Sequence, residues 1–515
     1  MKRLILSILI FSLPTFAAAG SSIPDEQKRI IDTSTWKSTL TQGELFDDLD
    51  TWSMSPSQMQ ISYDDYVKLG MRDGVLCASV EDPYCGDGLG RHVRALLPVC
   101  ADPTTERNSQ YCIEDFYAVK DGKKIEGIFQ RRYPDIQAKG QFKAEPEYDL
   151  PAGSAASLWQ LPGVTHAGAS DLYWVNAQLL GDFLRQSTNV KYGKFRAQQL
   201  WSSISGVTEI SFPGAKPMQA YSGGGGDSEP RPLSPSGAQC LIANTDACII
   251  SWALSEEITY GMKIRMAHPI TGWMHGRINN PNISTSTDKN GLFYINLEGA
   301  AVKVPTLYAS TPWDQASAAI KKRFGSKPSG CCGETDKSWY ESAGRNQSSQ
   351  QMVSDLNMWL PYVKDTASAT PTYWIVRTTT NAETANSSCL IKGAVNGVVT
   401  TNATAYTSGA PVFNKKFQSL DYKVASPHFS PEGGVNIGNY NLQINSKVAR
   451  CLYGFNSAPV SATVSIISSN GEKQVATTTL KESGGWIYLK AAGFSYSAPT
   501  VRVVLSQKKT ATKKK

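Results

Sequence analysis

From Tyr260 to Met266 the chain alternates, with Met262, Ile264 and Met266 apolar and Lys263 and Arg265 charged between them. Successive strand residues point to opposite faces, so this is the pattern of a strand with one side in a core and the other in water. Leu292 to Leu297 and Ala301 to Val304 continue it on either side of Glu298-Gly299. Ile113 to Val119 and Lys124 to Phe129 flank Asp121-Gly122, a dipeptide that takes the positive φ angles of a tight hairpin. Leu172-Tyr173-Trp174-Val175 is a further aromatic and β-branched run. The strand signal is densest from Thr372 to Ser506, with Thr463 to Ile467, an Asn470-Gly471 turn, Gln474 to Leu480, Trp486 to Leu489 and Thr500 to Leu505. Short strands at this spacing predict a β-sandwich of roughly immunoglobulin size.

Helical patterns are few: Glu26 to Ile31, Ser57 to Val67, Pro312 to Phe324 and Ser349 to Leu360. The expected fold is therefore mainly β, with two β-sandwich-like regions joined by a short helical connector. The predicted division is an N-terminal leader (20–66), a disulfide-containing β-rich domain (67–311), the helical connector (312–367) and an Ig-like β-sandwich (368–507). Ser222 to Asp227 is glycine-rich and is followed by Pro230, Pro232 and Pro235. It lacks the GxxxxGK[ST] pattern of a phosphate-cradling loop and reads as a surface loop.

The two ends add an address. Lys2 and Arg3 precede a mostly apolar run from Leu4 to Phe16, and Ala17-Ala18-Ala19 follows. Residues 1–19 therefore read as a secretory signal peptide. A thirteen-residue run spans only about 20 Å of helix, short of the roughly 30 Å hydrocarbon layer, so no transmembrane anchor is expected. At the other end, residues 508–515 form a basic tail with lysines at 508, 509 and 513 to 515.

Composition fits a globular chain of more than one core: 515 residues, 41% hydrophobic and 18% charged. The formal charge of +7 lies at the ends. Without Lys2, Arg3 and the five tail lysines, 44 of the 51 Lys and Arg remain, equal to the 44 Asp and Glu. The tail suits a partner such as a cell-wall polyanion or polysaccharide. Specific nucleic-acid binding would need a basic face with interleaved aromatics on the folded body, which the sequence does not present.

All ten cysteines lie beyond residue 19: Cys77, Cys85, Cys100, Cys112, Cys240, Cys248, Cys331, Cys332, Cys389 and Cys451. An even number in an exported chain suggests disulfides. Local pairing would join Cys77 to Cys85, Cys100 to Cys112 and Cys240 to Cys248, and Cys389 with Cys451 would close a longer loop. Adjacent Cys331-Cys332 would strain a mutual bond, so each is expected to find a distant partner, with a redox-active pair as the alternative. No CxxC pairs or matching histidine spacing occur, and neither a metal nor a cofactor is expected.

Short segments carry a resemblance: Gly276-Arg277-Ile278 through Pro281, Val304-Pro305, Ala449 to Phe455, and Gly493-Phe494 with Pro499-Thr500. Together they resemble secreted β-rich proteins of actinobacteria that are functionally uncharacterised, most closely over the second half. The resemblance implies a shared build and an extracellular address, and carries no activity with it.

Chemical motifs are sparse. His268 and His275 are seven apart and have no guaranteed convergence. His166, Ser170 and Asp171 contain the residue types of a hydrolase triad but lie too close along the chain to form one, and no GxSxG elbow occurs. Glu114, Asp115, Glu256 and Glu257 are available carboxylates, and neighbours on a strand face opposite ways. Aromatics offer a binding role: Trp273 and Trp486, beside Gly272 and Gly484-Gly485, are the tryptophans expected to be exposed for stacking on sugar rings. The expectation is a secreted or cell-surface-associated binding or structural protein that takes polysaccharide or another macromolecule. The alternative is an extracellular hydrolase of glycans or esters with a site assembled from scattered residues.

Overall fold

The computed structural model describes residues 40–44, 57–61, 76–85, 88–105, 109–135, 141–217, 241–312, 315–324, 338–341, 349–367, 370–379, 388–407, 409–457, 459–467, 473–496 and 500–507. Residues 1–19, Glu26 to Ile31, Ser222 to Asp227, Cys240, Cys331, Cys332, the Asn470-Gly471 turn and the 508–515 tail lie outside them.

The protein is mainly β, and one fourteen-stranded sheet dominates it. Along its path lie Gln58–Ile61, Gly90–Leu96, Leu172–Leu184, Arg196–Ser211, Ile375–Thr378, Gly272–Arg277, Val395–Thr401, Ile437–Asn445, Trp486–Ser495 and Thr477–Ser483. Two hairpin arms branch from it: Ala156–Gln160 with Ile128–Tyr133 on the third strand, and Ala247–Trp252 with Ile242–Asn244 on the fourth.

Each half of this sheet is covered on a different face. A five-stranded sheet runs Ser284–Thr287, Phe293–Ala300, Thr259–Met266, Cys112–Lys120 and Lys123–Glu126. Its Ile113, Phe116, Met262, Ile264, Ile295 and Leu297 pack against Val93, Val175, Leu179, Met274, Val376 and Val398 of the large sheet. A six-stranded sheet, built on Ser419–Ala425, Thr500–Gln507 and Val460–Ile467, covers the opposite face farther along. There Leu420, Tyr422, Val464, Val501 and Val503 meet Trp273, Ile375, Val399, Leu442 and Leu489.

Strand alternation explains how one sheet serves two cores. Met274 enters the first and Trp273 the second; Val398 and Val399, and Val376 and Ile375, divide in the same way. The strands Gly272–Arg277, Ile375–Thr378 and Val395–Thr401 have no wet face, so they read as apolar runs without clean alternation. Gly272–Arg277 pairs antiparallel with Ile375–Thr378 and parallel with Val395–Thr401. The spans 67–311 and 368–507 thus meet inside a single sheet.

Helices cap this framework. Ala318–Phe324 and Ser349–Trp359 bury Ile320, Leu356 and Trp359 against Ala405 and Ala425. Arg323 donates to both oxygens of the buried Asp355, at 2.9 and 3.2 Å. Of the stretch read as a helix from Ser57 to Val67, the described part instead forms the strand Gln58–Ile61, and residues 62–67 lie outside the described residues. Its glutamines alternate with Met59, which is fully buried, and that is a one-sided strand pattern. A helix the sequence reading did not identify, Ser446–Tyr453, starts at Asn445, whose side chain accepts from Lys447 N, and ends at Gly454 in the left-handed region.

Disulfides join Cys77 to Cys85, Cys100 to Cys112 and Cys389 to Cys451. Cys248 is also disulfide-bonded. In the loop-entropy model the two short links each restrain the unfolded chain by about 2.5 to 3 kcal/mol and the long one by about 4. Among the described residues no helix is long and apolar enough to cross a membrane.

Candidate functional site

The outer face of the five-stranded sheet is where the alternation of Tyr260 to Met266 delivers its polar half. Gly261, Lys263 and Arg265 lie opposite Glu298, Asn296 and Tyr294 on one side. Gly261 and Lys263 lie opposite Tyr117 and Asp115 on the other. The Tyr117 ring rests on Gly261, where a Cβ would sit 2.2 Å from it, so only glycine admits the ring there.

Tyr117 is the centre of a hydrogen-bond array. Its hydroxyl donates to Glu298 Oε2 at 2.7 Å and accepts from Asn296 Nδ2 at 2.9 Å, and Asn282 Nδ2 donates to Glu298 Oε1 at 3.0 Å. Burial, reinforced by the Glu298 carboxylate, pushes the Tyr117 phenol well above its usual range, so it remains a neutral donor. Lys124 lies over the Tyr117 ring at 4.2 Å and contacts Asp115 at 2.8 Å and Glu126 at 2.9 Å. Burial disfavours its charge, but these two carboxylates outweigh that and raise its pKa. Lys263 lies over Tyr294 at 4.7 Å, and Glu114 stands 3.4 Å from both Lys263 and Arg265. The result is a patch of amides, carboxylates, ammonium groups and a phenol held in place by one another. Such a surface offers both donors and acceptors, as a polyhydroxylated ligand requires.

The expected stacking residues lie elsewhere. Trp273 is only 1% exposed and packs across Gly397 in the second core, so it presents no face to solvent and the reading of it as an exposed ligand-stacking residue is corrected. Its strand is covered on both sides, and the neighbouring Gly272 marks a register shift rather than an open loop. Trp486 is half-buried at the hairpin after Gly484-Gly485 and packs against the first core. Glu114 and Asp115 are held by cations, and Glu256 by Lys303.

The five histidines do not converge. His92 pairs with Asp182, and His268 with Asp149 at 3.1 Å. The His166 Nε2–H is shared between the carbonyls of Leu172 and Val207, each at 3.1 Å, while Nδ1 accepts from Gly168 N. Ser170 accepts from Leu172 N and Asp171 from Gln160, so these three residues brace a loop. His428 bonds the Tyr496 carbonyl. Among the described residues no cluster of His, Cys, Asp and Glu suited to a metal is found.

His275 stands apart. It is 1% exposed, and its Nδ1 lies 2.9 Å from the Tyr406 hydroxyl. Burial first, then the Arg377 and Arg277 charges, hold its pKa well below the usual value, so the ring is neutral. Arg277 donates to the carbonyls of Ala403 and, at 2.8 Å, Thr404, and Arg377 lies 4.9 Å over the Trp201 ring. This cluster was not singled out from sequence. The available signal was arginine on strands otherwise apolar on both faces.

No protein-family model matches this chain, and no curated protein matches it.

Proposed function

We infer that this is an exported binding or structural protein of the cell surface, and that it takes polysaccharide on the outer face of the five-stranded sheet. The observation carrying this reading is the Tyr117–Glu298–Asn296–Asn282 array, where a buried phenol, a half-buried carboxylate and amide, and the exposed Asn282 amide are joined by hydrogen bonds at the outer side of the sheet. Sugar hydroxyls both donate and accept, and an ordered set of this kind meets them at little entropic cost. The ammonium groups over Tyr117 and Tyr294 are already paired with carboxylates, so recognition on this face would run by hydrogen bonds rather than by net charge or ring stacking. The signal-peptide pattern of residues 1–19 and the disulfides support export, and the lysine tail supports retention near an anionic wall.

The test is a glycan array on the mature chain, repeated with an Asn296→Ala/Glu298→Gln variant, alongside cell fractionation with and without residues 508–515. The expected outcome is glycan binding weakened at least tenfold by the double substitution, and surface retention reduced by loss of the tail. A chain that binds no glycan, or a variant that binds as well as the parent, overturns the reading. The second reading, an extracellular hydrolase, draws on the surface His92–Asp182 pair.

A further inference from the structure

We propose that the margin of the large sheet, where Thr477–Ser483 pairs with Trp486–Ser495, is a second binding surface, suited to an acidic saccharide. Register fixes its layout. Trp486, Tyr488 and Lys490 stand on one face of their strand, successive side chains about 7 Å apart. Ser483, Lys481 and Thr479 lie directly opposite them on the last strand of the sheet, and Asn445, Gln443 and Asn441 on the inner one. The intervening Ile487, Leu489 and Ala491 point the other way and fill the second core. Thr479, Lys481 and Ser483 are exposed, and Trp486, Tyr488 and Lys490 are partly so. The five-stranded sheet stops beside this strip: Gln443 accepts from Ile283 N at 2.9 Å and donates to its carbonyl at 2.6 Å, and Lys490 Nζ donates to Asn280 Oδ1 at 2.9 Å. The chain leading into Ser284–Thr287 therefore forms a step along one side.

Charge sets this strip apart from the outer face of the five-stranded sheet. There Lys124 and Lys263 are held by carboxylates. Here Lys481 has no partner among the described residues, and Lys490 has only the neutral Asn280 amide. No Asp or Glu stands on the strip, because Glu482, next along the strand, faces the opposite way and is taken by Arg450 at 2.7 and 2.8 Å. The Tyr488 hydroxyl and the Trp486 indole N–H also make no hydrogen bond to a described residue, and neither is sealed from solvent.

One ligand class uses all of these groups. The apolar face of a sugar ring packs on Trp486 and Tyr488, its hydroxyls meet Thr479, Ser483 and Asn445, and its carboxylate or sulfate takes the two ammonium groups. A single-stranded nucleic acid also stacks on aromatic rings, but its phosphates call for a basic groove along the whole track, whereas this strip carries two lysines among hydroxyls and amides. The inference rests on the reading of an exported, saccharide-binding protein, and places the acidic ligand on a different sheet from the Tyr117–Glu298 array.

Calorimetric titration of the full-length mature protein with trigalacturonate, maltotriose and a short oligothymidylate tests this. Lys481→Gln/Lys490→Gln should weaken trigalacturonate binding at least tenfold and leave any maltotriose binding unchanged. Asn296→Ala/Glu298→Gln, on the other sheet, should leave trigalacturonate binding as it is in the parent. No binding of trigalacturonate to the parent, or equal binding by the lysine variant, overturns the site. Loss of trigalacturonate binding in the Asn296/Glu298 variant alone moves the ligand to the five-stranded sheet and equally overturns it, and tighter binding of oligothymidylate replaces the saccharide with nucleic acid. Should the lysine variant fail to fold, the parent decides: trigalacturonate should protect Lys481 and Lys490 from acetylation, read by mass spectrometry, while the exposed Lys415 reacts as before. Unchanged acetylation of Lys481 and Lys490 rejects the proposal.

Discussion

His166 and His275 are both held neutral, and each for the same first reason, burial, which lowers its affinity for a proton below that of an unfolded histidine. On acidification the unfolded chain binds these protons first. Stability is therefore full at neutral pH and falls as pH drops below about 6.5. At pH 5.5 the denaturant midpoint should be lower than at pH 7.5 in chloride buffer, with His275 contributing more than His166. A midpoint that does not change over this interval would show that neither ring is shielded. Only part of this was legible beforehand. The bracing role of the His166 loop follows from the crowding of His166, Ser170 and Asp171 along the chain. The setting of His275 depends on Arg377, which lies a hundred residues away in sequence and next to it in space.

At the level of single elements, strands with one wet side were readable and strands with none were not. Lys263 and Arg265 between buried methionines and isoleucine report a solvent face, and the hairpin at Asp121-Gly122 forms with both residues at positive φ. Trp273-Met274-His275 gives no such period because both of its faces are covered, and the adjacent glycines then suggested exposure where there is close packing. Gly397 accommodates that packing. A Cβ there would meet the Trp273 ring at 2.2 Å, so Gly397→Ala should destabilise the protein by about 2 to 3 kcal/mol in chemical denaturation. Adding Trp273→Leu should recover part of the alanine's penalty, and a strictly additive double variant would place the strain elsewhere. That the cysteines form disulfides was legible from their even number, and Cys389 with Cys451 was one expected pairing that the structure contains, whereas the short helix that carries Cys451 was not legible. Its signals, an asparagine cap and a glycine stop nine residues on, are local and brief.

For the whole molecule, the large sheet joins what the sequence divides. Strand signals between Thr372 and Ser506 are real, but two of those strands flank Gly272–Arg277, which belongs to the earlier span. No local pattern announces a partner so distant along the chain. Residues 368–507 expressed alone would leave Ile375–Thr378 and Val395–Thr401 without the strand between them. The fragment should lack a cooperative thermal transition and be degraded by protease at a concentration the full chain resists. A fragment that unfolds cooperatively would show the second core to be self-sufficient.

The central strand also sets a timetable. Residues 272–277 are synthesised about a hundred residues ahead of both neighbours, so one hydrogen-bonding edge has no native partner until residue 378 has been delivered and the other none until residue 401. Until then the growing polypeptide carries unpaired strand edges at what will be the middle of its largest sheet, and closing that middle waits for segments far along the chain.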